Sequence, residues 1–173
     1  MGFDVQRVRT AYPALSEGFV HFDGAAGTLV AAPVADAIAG TLRAAVGNRT
    51  TAFEAGRRSG AIVAAARAAV ADLVGGDPGG VVFGPSATAL TYLVARTLAA
   101  TWGPGDEVIV SRLDHAQNIA PWLRVAQRAG ATTKWAEIDT ETCELPAWQY
   151  QGLINHRTKA VAVTAASGVV GTR

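Results

Sequence analysis

The fold of this chain is decided by the stretch Glu107-Val108-Ile109-Val110-Ser111-Arg112-Leu113-Asp114-His115-Ala116-Gln117-Asn118-Ile119-Ala120-Pro121-Trp122. An apolar strand at 107–110 runs directly into a loop with one histidine, and a new helix follows. In open α/β sheets, ligands bind in the crevice beyond the carboxyl ends of the strands. The pattern therefore predicts that His115 lies at the ligand-binding edge of a sheet.

Strands and helices alternate on both sides of this stretch, which is the signature of a largely parallel sheet. The sequence predicts strands at 81–83, 107–110, 132–136 and 159–164, and helices at 87–101, 118–129 and 146–154. Connections between parallel strands are right-handed crossovers. We therefore expect an α/β fold of three layers, a mostly parallel sheet with helices on both faces.

The amino-terminal part predicts one more strand and two helices. The apolar run 19–23 indicates a strand that enters a loop of small residues, and Pro33 can start a helix. Thr51 and Glu54 have the spacing of a capping box, in which a hydroxyl and a carboxylate satisfy free amides at a helix start. A long helix to about Val74 should follow.

Composition narrows the classes of function. Of the 173 residues 50% are hydrophobic and only 17% are charged, which argues against disorder. The 15 basic and 14 acidic residues give a net charge of +1 without charged runs, so the sequence predicts neither a nucleic-acid nor a membrane partner. Cys143 is the only cysteine, which excludes an intramolecular disulfide and a multi-cysteine metal site. We expect a soluble protein of the reducing cytoplasm, without a metal.

A second candidate site lies between the predicted strand 81–83 and the helix after it. Gly84, Ser86 and Thr88 stand where unpaired amides and the helix dipole favour an anion, and the two hydroxyls can add donors. Ser and Thr are also the usual side chains that cap a helix. From the residues alone, a phosphate site and a simple cap both remain open.

Three segments resemble cysteine desulfurases of the SufS type and related class V aminotransferase-fold enzymes. Residues 114–122 are similar, without a gap, to Glu-His-His-Ala-Asn-Ile-Val-Pro-Trp of that family. The turn at 86–89 is similar to Gly-Ala-Thr-Glu, and residues 161–172 to Val-Ala-Ile-Thr-His-Val-Ser-Asn-Val-Leu-Gly-Thr. The segments occur in the family's order and with its spacing.

The resemblance implies a fold-type I enzyme that uses pyridoxal 5'-phosphate (PLP) as an electron sink to act on a small amino acid. His115 would stack on the cofactor ring and move protons, and Ser86, Ala87 and Thr88 would hold its phosphate. Gly168 stands where the family has an asparagine that reaches the cofactor and substrate. By the same resemblance, 1–18 is an N-terminal segment, 19–173 is the front part of the PLP-binding large domain, the remainder and the small domain are absent, and the enzyme is a homodimer.

Several positions depart from the family pattern. Ala89 replaces the glutamate of the phosphate turn, and Gly168 replaces the asparagine. Lys134 and Lys159 are the only lysines; one lies inside a predicted strand and the other at a strand's amino end, the wrong edge for a Schiff base. We therefore expect the Schiff-base lysine to be missing and these 173 residues alone to be inactive. Desulfuration, transamination and epimerisation all remain open for the parent reaction.

Two other hypotheses compete with the enzyme. A degenerate family member would keep the fold as a dimerisation or partner-binding module, which Ala89 and Gly168 favour. An unrelated α/β protein that binds a phosphate ligand would need only the turn at 86–88. Cys143 lies in a polar turn and is interpreted as an incidental thiol.

Overall fold

The computed structural model describes residues 2–173. Contacts between residues divide the chain into two compact units. The first unit ends at Val82, and the second is Phe83–Arg173.

The first unit is helical in the part of the chain that the structure describes. Its elements are α1 Val5–Arg9, a 3-10 turn Pro13–Ser16, α2 Ala32–Arg43, α3 Glu54–Val74 and a second 3-10 turn Pro78–Gly80. The strand predicted at 19–23 is wrong. Phe19, Val20 and Phe22 are 69%, 77% and 92% exposed, and a strand without a neighbour to pair with leaves its backbone groups unsatisfied.

The sequence predicted how each of the two long helices of this unit begins, and one of these predictions is correct. α2 has Pro33 in its first turn, as predicted. The predicted capping box is wrong, because α3 begins at Glu54 with Phe53 as its N-cap. The Thr51 carbonyl instead accepts a hydrogen bond from Arg57, whose guanidinium also holds the Glu54 carboxylate at 2.8 Å. That ion pair occupies the carboxylate a capping box would use.

The second unit contains a parallel sheet. Its elements in chain order are α4 Ala87–Leu98, a 3-10 turn Ala99–Thr101, β1 Glu107–Ser111, α5 Ala116–Ala129, β2 Thr132–Ala136, α6 Gln149–Leu153 and β3 Thr158–Val161. The strand order is β2-β1-β3, and β1 is parallel to both neighbours. The strand predicted at 81–83 is wrong, since these residues form no regular structure. Helices 118–129 and 146–154 are confirmed with shifted ends.

The core lies on β1, all five residues of which are buried. Val108 and Val110 pack in one cluster with Trp122, Val125 and other residues of α4 and α5. Ile109 points to the opposite face of the strand, and it is also fully buried. Both faces of β1 are therefore covered, and the predicted α/β fold with a parallel sheet and helices is confirmed.

The strand order creates a topological switch point. The chain passes from β1 through α5 to β2 on one side, then returns through α6 to β3 on the other side of β1. With right-handed crossovers, such a reversal puts the two connecting helices on opposite faces of the sheet. In sheets with such a reversal, ligands bind beyond the carboxyl ends of the two strands at the switch point, which here are β1 and β3. The loops after these two strands contain His115 and Gly168.

Across residues 2–173, no helix combines the length and the apolar character that crossing a membrane requires.

Candidate functional site

The loop after β1 is held by a closed set of hydrogen bonds around Asp114. One carboxylate oxygen accepts from the His115 amide at 2.8 Å, and the other accepts from the Asn118 side chain at 2.6 Å. The Asn118 amide in turn donates to the His115 carbonyl at 2.8 Å. Because these bonds fix both sides of His115, the loop presents its side chain in a defined direction.

His115 is the N-cap of α5, because this helix begins two residues before the start at 118 that the sequence predicted. Its Nδ1 accepts the amide proton of Gln117 at 3.1 Å. An accepting nitrogen carries no proton, so the neutral ring has its proton on Nε2. The side chain is exposed. The cap fixes the tautomer and holds the ring at Nδ1, while Nε2 has no hydrogen-bond partner in the described chain.

The two hydroxyls at the start of α4 have different hydrogen-bond partners. Ser86 is the N-cap of α4, and its Oγ accepts from the Ala89 amide at 3.1 Å. The capping alternative is thus realised at Ser86. Thr88 is not a cap, and its hydroxyl leaves the helix to reach another element.

A single hydrogen bond brings the two candidate regions together. The Thr88 hydroxyl donates to Gln117 Oε1 at 3.0 Å, across 29 residues of sequence. Gln117 is also the residue whose amide holds the His115 ring. The anion turn predicted from 86–88 and the histidine predicted from 107–122 therefore belong to one site, although neither pattern identified Gln117.

The free donors of this site suit a phosphate. Within residues 2–173, the backbone amides of Ala87 and Thr88 have no acceptor, since they lie in the unpaired first turn of α4. They lie at the positive end of a twelve-residue helix dipole, and Ser86 and Ala87 are exposed. Free amides at an open helix N-terminus fit the phosphate of PLP, and an exposed, oriented imidazole fits its ring.

The loop after β3 is fixed at Ser167, which is 7% exposed. The Ser167 Oγ accepts from the amides of Val169 and Val170 at 3.3 Å, and its own amide donates to the Thr172 carbonyl at 2.8 Å. Gly168 lies in this turn and is exposed. Gly168 supplies no side-chain donor where the family has an asparagine. A contact between this position and the cofactor stays a prediction.

Tyr150 is a polar residue near this site that the sequence analysis missed. It lies on α6, and within the described chain its buried hydroxyl has no hydrogen-bond partner. Burial raises the pKa of Tyr150, and the Asp114 carboxylate raises it further. The phenol is therefore neutral at physiological pH and keeps its proton.

Both lysines lie at the opposite edge of the sheet. Lys134 Nζ is 2.8 Å from the Glu107 carboxylate, and Lys159 Nζ is 3.4 Å from that of Asp106. Glu107 opens β1, so these ion pairs lie near the amino ends of the strands, whereas His115 follows the carboxyl end. This arrangement supports the prediction that neither lysine is a Schiff-base residue.

Known proteins match this chain along most of its length. Residues 20–173 match the model of the family described as Aminotransferase class-V. An uncharacterized protein of Mycobacterium tuberculosis is 50% identical over 99% of this chain and 43% of its own length. A probable cysteine desulfurase of Pseudomonas aeruginosa is 34% identical over 95% of this chain and 42% of its own length.

Solved structures agree with these sequence matches. The cysteine desulfurase CsdA of Escherichia coli has a TM-score of 0.85 and 29% identity, over 99% of this chain and 43% of the other. A C-DES mutant with glycine covalently linked to its PLP cofactor shares the fold, with a TM-score of 0.75 and 20% identity, over 88% and 39% of the two chains.

The chain spans less than half the length of these relatives and neighbours. The family match covers far more than half of the chain. The hypothesis of an unrelated α/β phosphate binder is therefore wrong, and the chain belongs to the class V aminotransferase family.

Proposed function

We propose that this chain supplies the phosphate-binding and ring-facing part of a PLP site, in a cysteine desulfurase-like enzyme that acts on a small amino acid. The observation that carries the proposal is the hydrogen bond from Thr88 to Gln117, 3.0 Å long. It joins the turn at 86–88 to the start of α5, where His115 lies. The names of several relatives, among them probable cysteine desulfurases, support the choice of branch.

Each residue has a defined task in this proposal. The free amides of Ala87 and Thr88 would hold the phosphate, while Ser86 keeps the turn in shape by capping α4. His115 would lie on the face of the pyridine ring and hold or move a proton at Nε2, since its Nδ1 is bound to Gln117. When bound, PLP supplies the electron sink for breaking a bond of an amino acid.

The chain by itself should bind the cofactor weakly and not turn over substrate. Lys134 and Lys159 are held in ion pairs near the amino ends of the strands, so neither supplies the Schiff base. We further propose a homodimer in the cytoplasm. The dimer agrees with the exposed apolar side chains on α2, such as Val34, Ile38 and Leu42. The cytoplasm agrees with the single cysteine.

The test is equilibrium dialysis of the purified chain against PLP, with wild type and His115→Ala. Loss of the stacked ring removes about 0.5–1.5 kcal/mol, so we expect affinity to fall severalfold to about tenfold. His156→Ala is the matched control, because His156 is also exposed but precedes β3 at the amino edge. Wild type that retains no PLP, or turnover of an amino acid by this chain with added PLP, contradicts the proposal.

Two departures from the family pattern favour a second candidate, a degenerate family member that serves as a dimerisation or partner-binding module. Gly168 is exposed and offers no side chain where the family has an asparagine, and Ala89 has no carboxylate. This candidate predicts a dimer in sedimentation without any PLP binding. PLP binding that depends on His115 argues against it.

A further inference from the structure

Gln117 contacts both halves of the candidate site. Its backbone amide donates to His115 Nδ1 at 3.1 Å, and its side-chain oxygen accepts a hydrogen bond from the Thr88 hydroxyl at 3.0 Å. The family segment that resembles residues 114–122 has alanine at this position. The glutamine side chain is therefore a feature of this chain that the resemblance does not explain.

The hydrogen bond to Gln117 changes what Thr88 can offer a phosphate. A hydroxyl has a single proton to donate, and here it goes to Gln117 Oε1. Thr88 cannot then donate that proton to a phosphate as well. The side-chain NH2 of Gln117 has two N–H donors, and neither has an acceptor in residues 2–173.

We propose that Gln117 is an additional phosphate-binding residue, whose side-chain NH2 donates to the phosphate of PLP while its oxygen holds the Thr88 hydroxyl. This inference rests on the proposed function. The amide donors join the free N–H groups of Ala87 and Thr88, so the phosphate receives donors from both helix starts. Gln117 is exposed, so a ligand can reach its side chain.

The rival explanation is that Gln117 only ties α4 to α5. Two substitutions separate the explanations, because Gln117→Glu keeps an oxygen to accept from Thr88 but loses both N–H donors and adds a negative charge. Gln117→Ala removes the whole side chain. The backbone bond to His115 Nδ1 remains possible in both variants. A purely structural tie predicts that Gln117→Glu weakens PLP binding only through the repulsion between its added charge and the phosphate, so that it matches wild type in about 1 M salt, where the repulsion is screened. Loss of two phosphate donors predicts a weaker affinity than wild type that remains at this salt concentration.

The experiment measures dissociation constants for PLP by equilibrium dialysis, and circular dichroism of each unliganded variant checks its fold. A hydrogen bond to a charged group is strong, so Gln117→Ala should bind about tenfold more weakly, and Gln117→Glu more weakly still. Gln127→Ala and Gln127→Glu, on an exposed position of the same helix, should match wild type.

The outcomes separate this inference from the proposed function. Wild type that binds no PLP overturns both. Wild type that binds PLP, with Gln117→Glu equal to it in high salt, overturns the role of Gln117 alone and leaves the proposed site standing. If Gln117→Ala fails to fold, the Gln117→Glu measurement decides the question.

Discussion

The two ends of β1 carry polar groups that are arranged in opposite ways. At the amino end, the Glu107 side chain is 6% exposed, and its carboxylate contacts Lys134 at 2.8 Å, Asn155 at 2.8 Å and Arg157 at 3.1 Å. At the carboxyl end, His115 and Gln117 are exposed and keep donors without acceptors in the described chain.

The contrast separates groups that stabilise the fold from groups that can serve a ligand. A buried carboxylate without partners is costly, so the amino end needs its complete set of cations and amides. An exposed donor that is hydrated costs little free energy of folding, so the donors at the carboxyl end can lack a protein acceptor without loss of stability. Substitutions at the two ends, and between them, should therefore affect different measurements.

The largest effect should come from the strand that joins the two ends. Ile109→Ala empties a fully buried position in the middle of β1, and we expect the free energy of unfolding to fall by about 2–5 kcal/mol. Chemical denaturation measures this loss. Ile154→Ala, at a half-exposed isoleucine of the same unit, should change stability by less than about 0.5 kcal/mol. Equal losses in the two variants would contradict the placement of the core on β1.

A smaller effect should follow removal of the cap at the carboxyl edge. Ser86→Ala deletes the oxygen that accepts from the Ala89 amide, which costs about 0.5–2 kcal/mol of stability. Ser86→Gly should cost only a few tenths, since glycine is a tolerated cap. Thermal denaturation of the two variants makes the comparison. If Ser86→Ala left stability unchanged while PLP binding was lost, Ser86 would be a ligand contact rather than a cap.

The sequence predicted the second unit better than the first for a physical reason. The pattern at 107–136 combines a continuous apolar strand, a helix and a second strand that pair with one another, and all three formed. The runs 19–23 and 81–83 have strand composition, but neither pairs into a ladder in the described chain. Composition shows that a segment suits a sheet; pairing depends on a neighbour that the segment itself does not contain.

The candidate site shows a similar limit. The strand-loop-helix pattern identified His115, and the helix start identified Thr88. The link between them is a contact between residues 29 positions apart, which no local pattern encodes. Gln117 was visible only as a polar residue between His115 and Asn118. A departure from the family's alanine was the available signal.

The weakest effect is a shift along the pH axis, and it tests the amino end. Hydrogen bonds from Lys134 and then Asn155 outweigh the desolvation of burial and hold the pKa of Glu107 below its usual 4.5. A lowered pKa in the folded state means that the unfolded chain binds the proton more readily. The stabilising contribution is therefore complete above about pH 4.5 and is lost as the pH falls through the lowered pKa.

Lys134→Met should move this acid limb to higher pH, because it removes the main group that favours the charged carboxylate. Lys159→Met is the control, since it removes a cation from the same edge without touching Glu107. Unfolding followed by circular dichroism between pH 3 and pH 6 makes the measurement. Both variants should keep wild-type affinity for PLP at neutral pH, because the ligand site lies at the other end of the strand. A loss of PLP binding in Lys134→Met alone would mean that the two ends of β1 are coupled, and the separation between a stabilising edge and a ligand edge would fail.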